Sequence, residues 1–159
     1  GRKEEASEYF YRYIDLKEDK HPGELSLAYR ALAECEPDKA EEHLFKSVDA
    51  DPTRRESLVK LAVLYFQKER WQECYEIITK ALAITVKRLD YLVGDYAWKY
   101  LPYNILAVSR HNKDLDKNSP TYEEDKYKMN IFSMISSEFD LFEEVDKEPE
   151  PEQVLYDVQ

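Results

Sequence analysis

Small and large apolar residues recur along this chain at a fixed interval of 34 residues. Ala6, Ala40 and Cys74 occupy equivalent places in three segments that align without a gap. Residues four and three apart lie on the same face of a helix, so each segment predicts a helix with one packed face. The small residue lets a neighbouring helix approach closely. A larger apolar side chain one turn later fills the space between the two helices. The later positions of the register are Phe10, Leu44 and Ile78, and then Tyr13, Ser47 and Ala81.

This interval is the length of a tetratricopeptide repeat, in which each unit is a pair of antiparallel helices. The clearest unit covers residues 55–85 and resembles the tetratricopeptide pattern, with Leu58 in the usual tryptophan position and Cys74 in the usual alanine position. The resemblance implies an all-α fold. We expect about eight helices, arranged as antiparallel pairs that stack into a short right-handed superhelix.

The repeats divide the chain into a helical domain and a tail. The domain is predicted to cover residues 1–139, and the tail, residues 140–159, is acidic and rich in proline and glutamate and is expected to be disordered. After residue 85 the period fades, and two helices are predicted at residues 89–100 and 103–112, with a break at Pro102. A polar loop and a last helix at 121–138 follow. The predicted units are 3–17 as a half repeat, 21–52, 53–86 and a divergent 88–138.

The half repeat at residues 3–17 resembles a second helix without its first. A single repeat helix cannot bury its apolar face alone. Either its aromatic residues pack as a cap, or the chain belongs to a longer protein, and we expect the second.

Composition narrows the possible partners. The net charge is −11, and the last twenty residues hold eight acidic residues and one lysine. Such a chain lacks the positive field that nucleic-acid binding needs and is not attracted to anionic membranes. There is no apolar run of the roughly 20 residues that a membrane span requires. The two cysteines, Cys35 and Cys74, are far apart, which favours a reducing, cytoplasmic location.

The residue types that carry catalysis do not form a pattern. His21, His43 and His111 show no metal-ligand spacing, and His43 is expected on the solvated outer side of its helix. Cys74 occupies a packing position and is expected to be buried and inert. Three glycines cannot form a phosphate loop. We therefore predict no catalytic residue, cofactor or metal site in this chain.

Two groups of residues remain as candidates for binding. Aromatic rings stack on sugars and peptides, so Tyr91, Tyr96, Tyr100 and Tyr103 form a possible acceptor-binding face. Packing between divergent helices is the alternative, with Tyr91 and Tyr100 partly exposed and Trp98 in the core. The basic residues Arg54 and Arg55 precede a helix, where an anion could bind, although ordinary solvated helix ends are the expected explanation.

Residues 51–112 resemble the helical repeat domain that follows the catalytic domain of bacterial and phage family 2 glycosyltransferases. In that family a His-Asp pair typically follows the conserved proline, and Tyr103-Asn104 stands there in this chain. The resemblance implies a nucleotide-sugar domain that precedes residue 1 in a longer enzyme. The matching stretches are residues 51–56, 61–66, Trp71, 81–85, Tyr91, Ala97-Trp98 and Leu101-Pro102.

The resemblance therefore implies a non-catalytic domain that recognises a glycosyl acceptor, assembles subunits, for example as a homodimer, or does both. The alternative is a standalone adaptor that binds a peptide of a partner protein in its concave groove.

Overall fold

The computed structural model of the chain describes residues 1–16 and 18–126, and in those ranges it contains helices and no strands. The all-α prediction is therefore confirmed, whereas the right-handed superhelix stays a prediction. The predicted acidic tail at 140–159 lies outside the described residues. The helices are α1 (Arg2–Asp15), α2 (Pro22–Cys35), α3 (Ala40–Ala50), α4 (Arg55–Gln67), α5 (Trp71–Ala83), α6 (Leu101–Lys113) and the short α7 (Tyr122–Asp125), with 3-10 turns at Pro37–Lys39 and Asp95–Trp98.

Local sequence sets several helix boundaries. Pro22 opens α2, and the His21 ring accepts a hydrogen bond from the Gly23 amide at 3.2 Å. At the α4–α5 turn, Glu69 adopts a left-handed φ of 54°. The Glu69 amide donates to the Phe66 carbonyl and the Arg70 amide to the Tyr65 carbonyl. This is the Schellman arrangement that ends a helix, here built without the usual glycine.

The predicted packing register lies inside the protein in α3 and α5. Ala40 is 7% exposed and Cys74 is fully buried, and the large residues of the next turn, Leu44 and Ile78, are buried as well. The equivalent residues of α1 are only half-buried, and α1 packs against α2. Residues 21–52 contain the helices α2 and α3, and residues 53–86 contain α4 and α5.

Three buried hydroxyl groups join the two helix pairs. Ser26 of α2, Ser47 of α3 and Ser57 of α4 are completely buried. Their Oγ atoms lie 2.7 to 3.2 Å from one another, and the Ser47 hydroxyl also donates to the Ser26 carbonyl at 2.6 Å. A buried hydroxyl is tolerated when it is hydrogen-bonded, so serine can occupy a small-residue position of the register.

The predicted helix at residues 89–100 is wrong. Residues 84–94 have no regular secondary structure and lead into the 3-10 turn Asp95–Trp98. Side chains of α2 and α4 bind three of the backbone polar groups of these residues, the Ile84 and Leu92 carbonyls and the Gly94 amide, which offsets the loss of an internal hydrogen-bond ladder.

The elements after this segment are confirmed in part. The helix predicted at 103–112 exists as α6, and Pro102 lies in its first turn rather than breaking the chain. Of the helix predicted at 121–138, the structure shows Tyr122–Asp125, and the positions from 127 onward are outside the described residues.

The register can be tested by overfilling it. Ala81 is fully buried, so Ala81→Leu forces extra methylene groups into the α5 seam, and we expect a loss of about 1–3 kcal/mol in the free energy of unfolding. Ala83→Leu is the matched control, because Ala83 is exposed on the same helix. Urea unfolding followed by circular dichroism measures both variants. Equal stabilities would contradict the packing role of the small residues.

Candidate binding surface around residues 84–98

Residues 84–98, which we term the crossing segment, lie between α5 and α6 and contact both α2 and α4. Leu92 is 5% exposed and Ala97 is fully buried, whereas Leu89 and Tyr91 are 93% and 80% exposed. Gly23 provides the room for this packing. A Cβ atom at Gly23 would come within 2.7 Å of the Arg54 guanidinium and 2.8 Å of the Leu92 side chain.

Arg54 ties the crossing segment to the start of α4. Its NH1 and NH2 groups donate to the two carboxylate oxygens of Asp90 at 3.1 and 2.6 Å, and its Nε donates to Asp51 at 3.0 Å. The fork of the guanidinium suits such two-point binding. The Arg54 hydrogen bonds hold the pKa of Asp90 below its usual value. Burial acts to raise the pKa of Asp51, but hydrogen bonds from Thr53 and Arg54 outweigh it, so this pKa is also lowered.

Arg55 holds both ends of the crossing segment. Its Nε donates to the Ile84 carbonyl at 3.0 Å, and its NH1 donates to the Ala97 carbonyl at 3.3 Å. The guanidinium carbon also lies 4.0 Å from the centre of the Trp98 ring, a cation–π contact. Arg54 and Arg55 are 2% and 5% exposed, so the expectation of ordinary solvated helix ends is wrong.

Glu56 accepts hydrogen bonds from the same segment. Its Oε1 lies 3.1 Å from the Gly94 amide and 3.1 Å from the Trp98 indole nitrogen, and both groups donate to it. The Tyr96 hydroxyl donates to the Glu56 backbone carbonyl at 3.2 Å. Glu56 is 2% exposed, and these bonds compensate for the burial of its carboxylate.

Two further cations, Arg30 of α2 and Lys60 of α4, lie close to Tyr96. The Arg30 guanidinium donates to the Tyr96 hydroxyl and to the Leu92 carbonyl, both at 3.4 Å. The Lys60 ammonium lies 5.8 Å from the centre of the Tyr96 ring and also contacts the Glu34 carboxylate. Burial, together with the Arg30 charge, lowers the pKa of Lys60 to about 7.

The structure separates the residues predicted to form one aromatic face. Tyr91, Tyr100 and Tyr103 are 80%, 55% and 57% exposed, and the Tyr91 hydroxyl donates to Glu24. Tyr96 and Trp98 are half-buried and belong to the packing against α4. The partial exposure predicted for Tyr91 and Tyr100 is confirmed. The core position predicted for Trp98 is wrong, because this side chain is half-buried.

Sequence reasoning missed Arg30 and Glu56 as members of this arrangement. Arg30 lies seven residues after Gly23, which places both on one face of α2. The available signal was that Arg30 shares a face of α2 with a glycine. Helix periodicity alone, however, does not reveal that residues 84–98 cover this face.

Cys74 and His43 are buried and engaged in packing. Cys74 is fully buried, as predicted, and burial raises the pKa of its thiol to about 12, which keeps the thiolate form rare. His43 is 2% exposed, so its predicted solvated position is wrong. Its Nε2 lies 2.9 Å from the Glu36 carboxylate, which also accepts a 2.8 Å hydrogen bond from the Tyr11 hydroxyl.

Comparisons with protein-family models, curated proteins and solved structures found no match to this chain. Across residues 1–16 and 18–126, no three His, Cys, Asp or Glu side chains are grouped as a metal site would need. No helix in this part of the chain combines the length and the apolar character needed to cross a membrane.

Proposed function

We propose that this chain is a non-catalytic, tetratricopeptide-like module of a glycosyltransferase, which serves acceptor recognition, subunit assembly, or both. The observation that supports this proposal best is the exposure of Tyr91, Tyr100 and Tyr103 on or just after a segment that buried arginines hold in place. Aromatic rings on a fixed backbone can bind at a low cost in entropy. Residues 51–112, the stretch that resembles the glycosyltransferase repeat domain, contain all three.

The chemistry of the surrounding side chains supports a binding role over a reaction. Cys74 is buried with a raised pKa, and Arg54 and Arg55 are engaged within the chain. The alternative, a standalone adaptor that binds a partner peptide in a groove, requires an accessible helix face. The crossing segment covers part of α2 and α4, so the exposed tyrosines are the surface that can bind without displacement of this segment.

The proposal is tested by binding and by molar mass. A panel of neutral and acidic oligosaccharides is titrated against the full chain with intrinsic tryptophan fluorescence as the readout, and light scattering gives the molar mass over a concentration series. We expect saccharide binding, a dimer, or both. Tyr100→Ala combined with Tyr103→Ala should weaken whichever is seen by about thirtyfold, since each exposed ring contributes on the order of 1 kcal/mol and the two together about 2 kcal/mol.

Tyr9→Ala is the matched control for surface tyrosines. Tyr9 is 68% exposed, but it lies on α1, away from the crossing segment in sequence. Its replacement should leave binding and molar mass unchanged. A chain that stays monomeric and binds no saccharide would contradict the recognition and assembly role. A reading frame without a nucleotide-sugar domain upstream of residue 1 would contradict the link to a glycosyltransferase.

A further inference from the structure

Four buried basic side chains lie where α2 and α4 meet the crossing segment. They are Arg30, Arg54, Arg55 and Lys60, each between 2% and 8% exposed. Three of these cations donate hydrogen bonds to atoms of the crossing segment, and the fourth lies near its Tyr96 ring. Cations are rarely buried in such a group unless anions or polar groups compensate for them. The crossing segment is therefore an essential part of their environment.

The contacts have the form by which a protein binds an extended peptide. Arg30 and Arg55 donate to backbone carbonyls of the segment, and Glu56 accepts from the Gly94 amide. The remaining contacts recognise particular side chains of the crossing segment. Arg54 binds a carboxylate through two hydrogen bonds, and Arg55 lies over an indole ring. Backbone bonds of this kind give affinity, and the side-chain contacts give specificity.

The crossing segment leaves one buried hydrogen-bond donor of the α2–α4 face without a partner. Arg30 is 4% exposed, yet both of its hydrogen bonds are long, and its Nε has no hydrogen-bond partner within the described residues. A buried donor without a partner is unfavourable. A peptide that presents an additional oxygen to Arg30 gains an interaction that residues 84–98 do not supply.

We propose that the α2–α4 face is a binding site for an extended peptide of a partner protein that carries an acidic residue followed by aromatic residues, and that the crossing segment occupies this site in competition. The acidic residue takes the place of Asp90 on Arg54, and the aromatic residues take the places of Tyr96 and Trp98. This inference rests on the proposed role in recognition and names the chemical class of a protein partner.

The Arg54 contact identifies the occupant. Asp51 and Glu34 already pair with Arg54 and Lys60, so the preference for an acidic ligand rests on the two-point contact of Arg54, which favours a carboxylate over a neutral amide. The crossing segment itself carries acidic residues at Asp90 and Asp95 and an aromatic pair at Tyr96 and Trp98. A partner peptide with this order of residues can replace it contact by contact.

The test uses a synthetic peptide with the sequence of residues 86–98, labelled with a fluorophore at its amino end. Fluorescence anisotropy measures its binding to the full-length wild-type chain and to Asp90→Asn. The variant weakens the contact of the crossing segment with Arg54 and leaves Arg54 available to the peptide. We expect the variant to bind the peptide about tenfold more tightly than wild type, the factor that corresponds to the loss of one charge-assisted hydrogen bond.

Two matched controls isolate the carboxylate. Asp95→Asn removes an acidic group of the same segment whose partner, Lys87, belongs to that segment, so its affinity for the peptide should equal that of wild type. A peptide with asparagine at the position of Asp90 should lose the gain seen with Asp90→Asn. Equal affinities of wild type and a folded Asp90→Asn variant would overturn the proposal.

A second measurement needs no variant. Hydrogen exchange of the Gly94 amide, which donates to Glu56, is followed in the wild-type chain with and without an excess of the peptide. Displacement of the crossing segment should make this amide exchange faster, and an unchanged rate at saturating peptide would overturn the competition. If the peptide does not bind but a saccharide does, or a dimer forms, only the peptide site is disproved. If peptide binding, saccharide binding and dimer formation are all absent, the recognition role is disproved as well.

Discussion

Replacing Arg54 with alanine should lower the free energy of unfolding by about 3–5 kcal/mol, the range seen when one partner of a buried ion pair is removed. The Arg54 side chain is 1% exposed, and that of its partner Asp51 is 5% exposed. The variant leaves the Asp51 carboxylate buried with only its Thr53 contacts. It also releases Asp90 and with it the middle of the crossing segment.

Urea unfolding of Arg54→Ala and Arg88→Ala provides the comparison. Arg88 lies on the crossing segment, and its exposed guanidinium donates to the Thr53 hydroxyl at 2.8 Å. We expect Arg88→Ala to change stability by less than about 1 kcal/mol. Similar losses in both variants would show that general charge, rather than the buried contacts of Arg54, stabilises this region.

The contacts of Arg54 with Asp51 and Asp90 also make the free energy of unfolding depend on pH. The pKa values of Asp51 and Asp90 are lowered in the folded chain, whereas an unfolded aspartate titrates near about 3.9. Their stabilisation is therefore fully present above about pH 4 and is lost as the pH falls through the lowered folded values. In Arg54→Ala this acid-dependent part should be smaller. An equal loss for wild type and variant below pH 4 would contradict the assignment.

Replacing Phe66 with alanine should lower the free energy of unfolding by about 3–5 kcal/mol. Phe66 is 2% exposed on α4, and its ring meets the Trp71 ring edge-to-face with a centroid distance of 5.2 Å. The substitution leaves a cavity between α4 and α5 that the surrounding helices cannot fully close.

Phe45→Ala is the control, because Phe45 is 45% exposed on α3. The same chemical change there removes little buried area and should cost less than about 1 kcal/mol. Thermal or urea unfolding followed by circular dichroism measures both variants. Comparable losses would mean that the pair α4–α5 does not form the centre of the hydrophobic core.

The 34-residue register predicted α3 and α5 and their packed faces. Ala40 and Cys74 are buried where the spacing placed them, and α3 and α5 follow the same periodicity of apolar residues. Such local patterns are readable because side chains three and four positions apart must share a helix face, whatever the remainder of the chain does.

Tertiary structure alone decided the surroundings of residues 84–98. Their composition permits a helix, but Arg30, Arg55 and Glu56 take up backbone carbonyls and an amide that a helix would have used internally. These partners lie about 30 to 60 residues away in sequence, and no periodicity within the segment records them.

The sequence by itself thus determined that α3 and α5 form and which of their faces are packed. Only the folded chain decided that Arg54 and Arg55, which read as solvated helix ends, are buried against Asp90 and Trp98. The physical reason is that helix periodicity is a property of neighbouring residues, whereas burial of a charge depends on which distant group arrives to compensate for it.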